Sequence, residues 1–103
     1  MGTKSRGPLT ESMFYVLMAF LHGEMCGIDV AAFVERKTRG RVTLGPGTLY
    51  KMLNKFQDAE LIEETEVEGR KRTYRLTSKG RETYEDEVDR LRACLRDAEE
   101  EFL

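Results

Sequence analysis

The sequence contains few of the residues that metal sites and most catalytic centres need. A single histidine, His22, has no companion ligands, and the cysteines Cys26 and Cys94 fit neither CxxC nor zinc-finger spacing. The chain shows no nucleophile–base pair, metal-ligand cluster or phosphate-binding loop, which argues against an enzyme. We therefore predict no metal, no cofactor and two free thiols, as a reducing cytosol would keep them.

Long apolar runs are also missing. No stretch approaches the roughly 20 apolar residues of a membrane span, and the polar start from Met1 to Pro8 does not resemble a secretory signal. We therefore expect a cytoplasmic protein that makes no membrane contact. A chain of 103 residues suits one domain, whose modest core would gain from oligomerisation.

Charge is distributed unevenly along the chain, although the net charge is only −2. Residues 36–81 hold 12 Lys and Arg against 6 Asp and Glu, whereas residues 82–103 hold 3 against 9. A basic middle beside an acidic tail favours a nucleic-acid contact made by the middle alone. The alternative is a solvated surface on which the charges have segregated by chance.

Three helices are predicted before the first β-like run. The first begins after the cap residue Thr10 and stops at Gly23, and the second opens near Gly27. The third runs from Thr48 to about Ala59, after the break at residues 45–47. One stripe of this third helix is apolar, with Tyr50 on its flank. The opposite side carries Thr48, Lys51, Asn54 and Lys55.

Two β-like runs follow, at residues 61–67 and 73–77. The polar loop between them contains Gly69, so the pair is predicted to form a hairpin. Its tip carries the cations Arg70, Lys71 and Arg72. A soluble turn is the alternative interpretation of these three residues.

A last helix, capped by Thr77 or Ser78, holds the sharpest periodicity in the sequence. Its apolar residues are separated alternately by four and three positions, which is the narrow seam of a helix that packs on a partner helix. The seam consists of Tyr84, Val88, Leu91, Leu95, Ala98 and Phe102. We predict dimerisation through it. The alternative is that it folds back on the first helix of its own chain.

This order of elements predicts a mainly α fold with a small β-hairpin, a winged helix-turn-helix with a C-terminal dimerisation helix. We expect an arm at residues 1–8, a DNA-binding domain at 9–78 and the dimerisation helix at 79–103.

The third helix would enter the major groove of double-stranded DNA. Lys51 and Lys55 would contact phosphates, while Thr48, Tyr50 and Asn54 would reach bases or the sugar-phosphate backbone. The free N–H groups at Gly47 and Thr48 suit a phosphate oxygen. The hairpin tip would follow the neighbouring backbone or minor groove. A winged helix that binds only proteins is the alternative.

The sequence resembles the PadR family along residues 9–92. Residues 47–53 (GTLYKML) and 59–62 (AELI) are similar to its GTLY…L…L…GLI signature. Residues 69–80 (GRKRTYRLTSKG) resemble its GRxRxYYxLTxxG wing segment, and CGID at 26–29 is similar to its HGYEI-like turn. Glu60 stands where the family usually has glycine, and Thr73 replaces one of its paired wing tyrosines.

The resemblance implies a homodimer that represses nearby genes from two-fold related half-sites. The tail helix would pack on the partner's first helix, which adds Phe14 and Leu17 to the interface. A single helix after the wing is similar to the short-tailed branch, some members of which hold planar aromatic effectors between aromatic residues, often Trp. This chain has no Trp, so Phe14, Phe20 and Phe102 are the candidates to replace it.

Overall fold

The computed structural model describes residues 8–69 and 71–102. Most of the predicted arm, at residues 1–7, and the wing residue Arg70 lie outside the described residues. In chain order the elements are α1 (Glu11–Ala19), a 3₁₀ turn (Phe20–His22), β1 (Met25–Cys26), α2 (Gly27–Lys37), α3 (Pro46–Asp58), β2 (Ile62–Glu68), β3 (Lys71–Leu76) and α4 (Ser78–Glu100). The predicted mainly helical winged-helix fold is confirmed.

The helix boundaries follow local capping chemistry. The Thr10 hydroxyl accepts a hydrogen bond from the Met13 amide at 3.1 Å, and the Thr77 hydroxyl accepts one from the Gly80 amide at 2.9 Å. The third helix begins two residues earlier than predicted, because Pro46 takes its first position and Gly45 caps it.

Two of the helices end in the same backbone motif. At the end of α3, the Leu61 amide donates to the Phe56 carbonyl at 2.9 Å and the Glu60 amide to Gln57 at 3.0 Å. This is a Schellman motif, and it places Glu60 in the left-handed region with φ 64°. At the end of α2, Gly40 and Arg39 make the corresponding bonds, and Arg39 has φ 54°.

The sheet has three strands, in the order β1-β3-β2, so the predicted two-stranded hairpin was incomplete. The missing strand pairs Met25 with Tyr74 and Cys26 with Thr73, antiparallel. Two residues are too few to show the alternation that reveals a strand in a sequence. The connection between α1 and α2 is therefore tied to the middle of the hairpin.

The core lies where α1, α2 and α3 pack on the inner face of this sheet. Its largest fully buried side chains are Tyr74, Phe56, Leu17, Leu53, Leu61, Ile62, Val16, Val30 and Val34. Leu17, expected at the dimer interface, is 0% exposed within its own chain and cannot meet a partner. The expectation failed because Leu17 lies on the core side of α1.

The tail helix α4 divides into two halves. In the first half the rings of Tyr84 and Phe14 stack at 5.0 Å and 7°, so the fold-back alternative is correct for Tyr84. Further along, the apolar seam leaves the domain, and Leu91, Leu95 and Phe102 are 39%, 59% and 88% exposed. Within residues 8–69 and 71–102, every helix is too short or too polar to span a bilayer.

Candidate nucleic-acid interface

The outer face of α3 collects the residues predicted to meet DNA. Leu49, Leu53 and Phe56 are buried and fix the helix by one stripe. The opposite side turns to solvent with Gly47, Thr48, Tyr50, Lys51, Asn54 and Lys55, all exposed. Among the described residues, neither Lys51 nor Lys55 has a carboxylate partner within salt-bridge distance. Both ammonium groups are therefore available to an anion.

The first turn of α3 offers backbone donors beside these side chains. The first hydrogen bond of the helix runs from the Leu49 amide to the Gly45 carbonyl at 2.9 Å. Pro46 has no N–H group, and no side chain caps the turn. The amides of Gly47 and Thr48 thus point out of the helix end, where the helix dipole also favours an anion.

Tyr50 is only partly accessible to a ligand. A Cβ atom built on Gly27 would lie 2.8 Å from its Oη atom and 3.0 Å from its Cζ atom. The phenol therefore rests on the start of α2, and 44% of Tyr50 is exposed. This contact leaves only part of the Tyr50 side chain available to a ligand.

The wing is balanced in charge. Arg75 donates to Glu63 at 2.7 Å across the two strands, and Arg72 lies 3.8 Å from Glu64. Among the described residues, the Glu64 Oε2 atom is buried without a hydrogen-bond partner. The pKa of the Tyr74 hydroxyl is raised, first by the burial of Tyr74 and then by the nearby charge of Glu64. Lys71 is exposed opposite Glu68. Within the described wing, acidic residues of β2 thus face the cations of β3.

A further group of cations lies at the end of α2, and sequence reasoning gave it no role. Arg36, Lys37 and Arg39 are exposed and surround a shallow depression whose floor is Phe33. The run was visible in the sequence as part of the basic middle. What could not be seen is which of its members form ion pairs.

Arg41, two residues further, is engaged by α1. Its guanidinium pairs with the Glu11 carboxylate, donates to the Tyr15 hydroxyl at 3.2 Å and lies 5.8 Å from the centre of the Tyr15 ring. This cation is therefore an anchor between α1 and the loop that precedes α3.

The predicted dimer residues are only partly brought together. Leu91, Leu95 and Ala98 are exposed on α4 and Phe102 just after its end, Val88 is half-buried, and Tyr84 and Phe14 pack on each other. In the described part of the chain, no three His, Cys, Asp or Glu side chains converge as metal ligands would.

Solved structures share this architecture. A PadR family transcription regulator from Clostridium difficile superposes with a TM-score of 0.76 at 16% identity, over 91% of this chain and 100% of that chain. Bacillus subtilis PadR in complex with operator DNA superposes with a TM-score of 0.65 at 21% identity, over 74% of this chain and 45% of that chain. At these identities the likeness concerns the fold.

The chain also has relatives that are similar in sequence. The chain is 35% identical over 78 residues to an uncharacterized 37.1 kDa protein in transposon TN4556 of Streptomyces fradiae, covering 76% of this chain and 22% of that protein. The chain thus spans about a fifth of the length of this curated relative. Residues 16–86 match the profile described as the transcriptional regulator PadR-like family. Since this match spans more than half of the chain, the protein belongs to the PadR-like family of transcriptional regulators.

Proposed function

We propose that this regulator binds double-stranded DNA with the outer face of α3 and acts as a homodimeric repressor that a small molecule relieves. The observation that carries the proposal is the pair Lys51 and Lys55, both exposed and both without a carboxylate partner in the described chain. Family members are transcriptional regulators, so the chain is not an enzyme.

The chemistry of this face suits a major groove. Two ammonium groups one turn apart can neutralise neighbouring phosphates, and the free amides of Gly47 and Thr48 can bind a third. The side-chain amide of Asn54, exposed on the same helix, can form paired hydrogen bonds with a base edge. Bacillus subtilis PadR, which shares this fold, is described in complex with operator DNA.

Dimerisation would supply a second copy of this face. The exposed apolar seam of α4, with Leu95 at 59% exposure, is stabilised if it packs on another copy. Two-fold related half-sites would then match the two recognition helices.

An aromatic effector would fit best where α1 meets α4. Phe14 and Tyr84 already stack there, and Phe102 is exposed just after the end of α4. Phe20 is a weaker candidate, since it is only 3% exposed within the core.

Salt dependence is the test of DNA binding. We expect the affinity for a duplex to fall steeply with salt, with a log–log slope of about −0.9 per phosphate contact. Lys51→Ala with Lys55→Ala should weaken binding at every sequence and make the slope shallower by about 2 for each bound protomer, whereas Asn54→Ala should chiefly change sequence preference. Arg92→Ala with Arg96→Ala removes the same charge from α4 and is the control.

The proposal is wrong if the lysine pair variant binds as tightly as the wild type at moderate salt. A flat salt dependence of the wild type would instead favour a winged helix that binds only proteins. Half-sites selected from a pool of random oligonucleotides would then define the operator. Release of that operator by planar aromatic compounds would test the effector.

A further inference from the structure

We propose that Arg36, Lys37 and Arg39, at the C-terminal end of α2, form a second contact with DNA phosphates and supply more of the electrostatic attraction than the wing cations Arg72 and Arg75 do. This inference rests on the proposed DNA binding by α3 and names a further surface for the same partner. We call these three residues the α2 cluster.

Ion pairing distinguishes the α2 cluster from three arginines of the basic middle. Arg41 is engaged by Glu11, and in the described wing Arg72 and Arg75 lie beside Glu64 and Glu63. None of the three cations of the α2 cluster has a carboxylate partner within salt-bridge distance among the described residues. A phosphate bound there would meet three uncompensated charges, whereas at the described wing residues it would also meet the carboxylates of β2.

The backbone holds the α2 cluster in a fixed turn. The Gly40 amide donates to the Glu35 carbonyl at 2.8 Å, and the buried Thr38 hydroxyl donates to Val34 at 2.8 Å and accepts from the Val42 amide at 3.0 Å. Phe33, only 7% exposed, forms the floor between the cations. The positions of the three Cα atoms are therefore preorganised, and only side-chain freedom is lost on binding.

Arg39 occupies a position that its side chain makes unfavourable. It has φ 54°, in the left-handed region that favours glycine or asparagine. The neighbouring glycine, Gly40, does not relieve this strain, since the left-handed residue of the Schellman motif is Arg39 itself. Strain that persists in a structure is a reason to look for a function of the side chain concerned.

The α2 cluster lies within reach of the duplex that α3 would bind. Arg39 and Pro46 are seven positions apart in the chain, so their Cα atoms are at most about 25 Å apart. One turn of B-DNA is about 34 Å long. A phosphate of the same turn, flanking the groove that α3 enters, is thus the anion that we assign to the α2 cluster.

The test uses the full chain and a random-sequence duplex of about three helical turns. We compare the wild type with Arg36→Gln/Lys37→Gln/Arg39→Gly, with the wing variant Arg72→Gln/Arg75→Gln and with the tail control Arg92→Gln/Arg96→Gln. Binding is followed by fluorescence anisotropy across a salt series. We expect the α2 variant to lose affinity at every salt concentration and its slope to become shallower by about 2 to 3 for each bound protomer. The wing and tail variants should each change the slope by less than about 1.

A stability measurement separates this role from a structural one. Arg39→Gly alone removes a cation and relieves the left-handed strain, so we expect a higher urea midpoint together with weaker DNA binding. A merely structural arginine would instead lose stability and keep the wild-type salt slope, and that result would overturn the proposal.

The remaining outcomes are distinguishable from failure of the proposed function. If the α2 variant keeps the wild-type slope while Lys51→Ala/Lys55→Ala loses it, α3 binds DNA and the α2 cluster does not. If the α2 variant loses only the binding of inorganic pyrophosphate, the cluster is a small-anion site and the proposal is wrong. If the wild type itself fails to bind duplex at low salt, the proposed function fails first.

Discussion

The amide of Leu61 donates to the carbonyl of Phe56 at 2.9 Å, which closes α3 around a left-handed Glu60. Because a side chain disfavours this conformation by about 1 kcal/mol, Glu60→Gly should stabilise the protein by that amount. Urea unfolding measures the gain. Glu60→Ala removes the same carboxylate but keeps the Cβ atom, so it should give no comparable gain. Equal midpoints for the two variants would contradict the argument.

Gly80, in the first turn of α4, should resist substitution for the opposite reason. A Cβ atom there would overlap the Leu61 carbonyl oxygen and lie 2.8 Å from the Leu76 Cδ1 atom. Alanine normally favours a helix over glycine, yet Gly80→Ala should destabilise by about 1–3 kcal/mol because backbone must shift. Gly47→Ala is the control, since nothing lies within 4 Å of its Cβ position. A thermal midpoint for Gly80→Ala at or above that of the wild type would contradict this packing.

Glu87 links acid stability to the junction of α1 and α4. It is only 6% exposed and accepts hydrogen bonds from Arg90 at 3.0 and 2.5 Å. The Arg90 hydrogen bonds, and to a lesser degree the backbone amide of Leu9, hold the pKa of Glu87 below its ordinary value. The stability it contributes is therefore fully present above about pH 4.5, the ordinary value, and is lost as the pH falls further.

Substitution of Glu87 by glutamine should reduce this loss of stability at acid pH. We expect Glu87→Gln to be less stable than the wild type at neutral pH and the difference to shrink below pH 4.5. Urea titrations across pH measure it. Glu85→Gln, at an exposed position of the same helix, should leave the wild-type profile unchanged. A constant difference between wild type and Glu87→Gln at all pH values would disprove the assignment.

The exposed half of α4 makes a prediction about assembly. Leu91→Asp and Leu95→Asp place carboxylates in the seam, so each should shift the protein to monomers in sedimentation. Arg92→Asp, on the same helix but off the seam, should leave the oligomeric state unchanged. A dimer that persists through both leucine substitutions would place the interface elsewhere.

Helices and their ends could be predicted because short-range chemistry determines them. Thr10 and Thr77 cap as expected, whereas α1 ends at Ala19, and Gly23, with φ 119°, ends the 3₁₀ turn that follows it. The side of α3 that carries Lys51 and Lys55 followed from the apolar period alone. The prediction for α3 missed only Pro46 and Gly47, because glycine and proline suggested a break although both are tolerated in a first turn.

Contacts between residues far apart in the chain could not be predicted from the sequence. Nothing near Met25 indicates that it meets Tyr74, because a two-residue strand has no period. Glu87 looked like one more flanking charge on α4 until its contact with Arg90 was seen. Likewise, the sequence does not show which cations of residues 36–75 form ion pairs. Only the fold reveals that Arg75 pairs with Glu63, whereas Arg39 has no such partner among the described residues.

The short strand β1 has a mechanical consequence. Its backbone hydrogen bonds fasten the link between α1 and α2 to the return strand of the hairpin, while Arg41 fastens α1 to the loop before α3. A tilt of α1 would therefore move the hairpin from one side and α3, the helix that we propose enters the groove, from the other. A molecule that binds against α1 would thus shift the hairpin and α3 together.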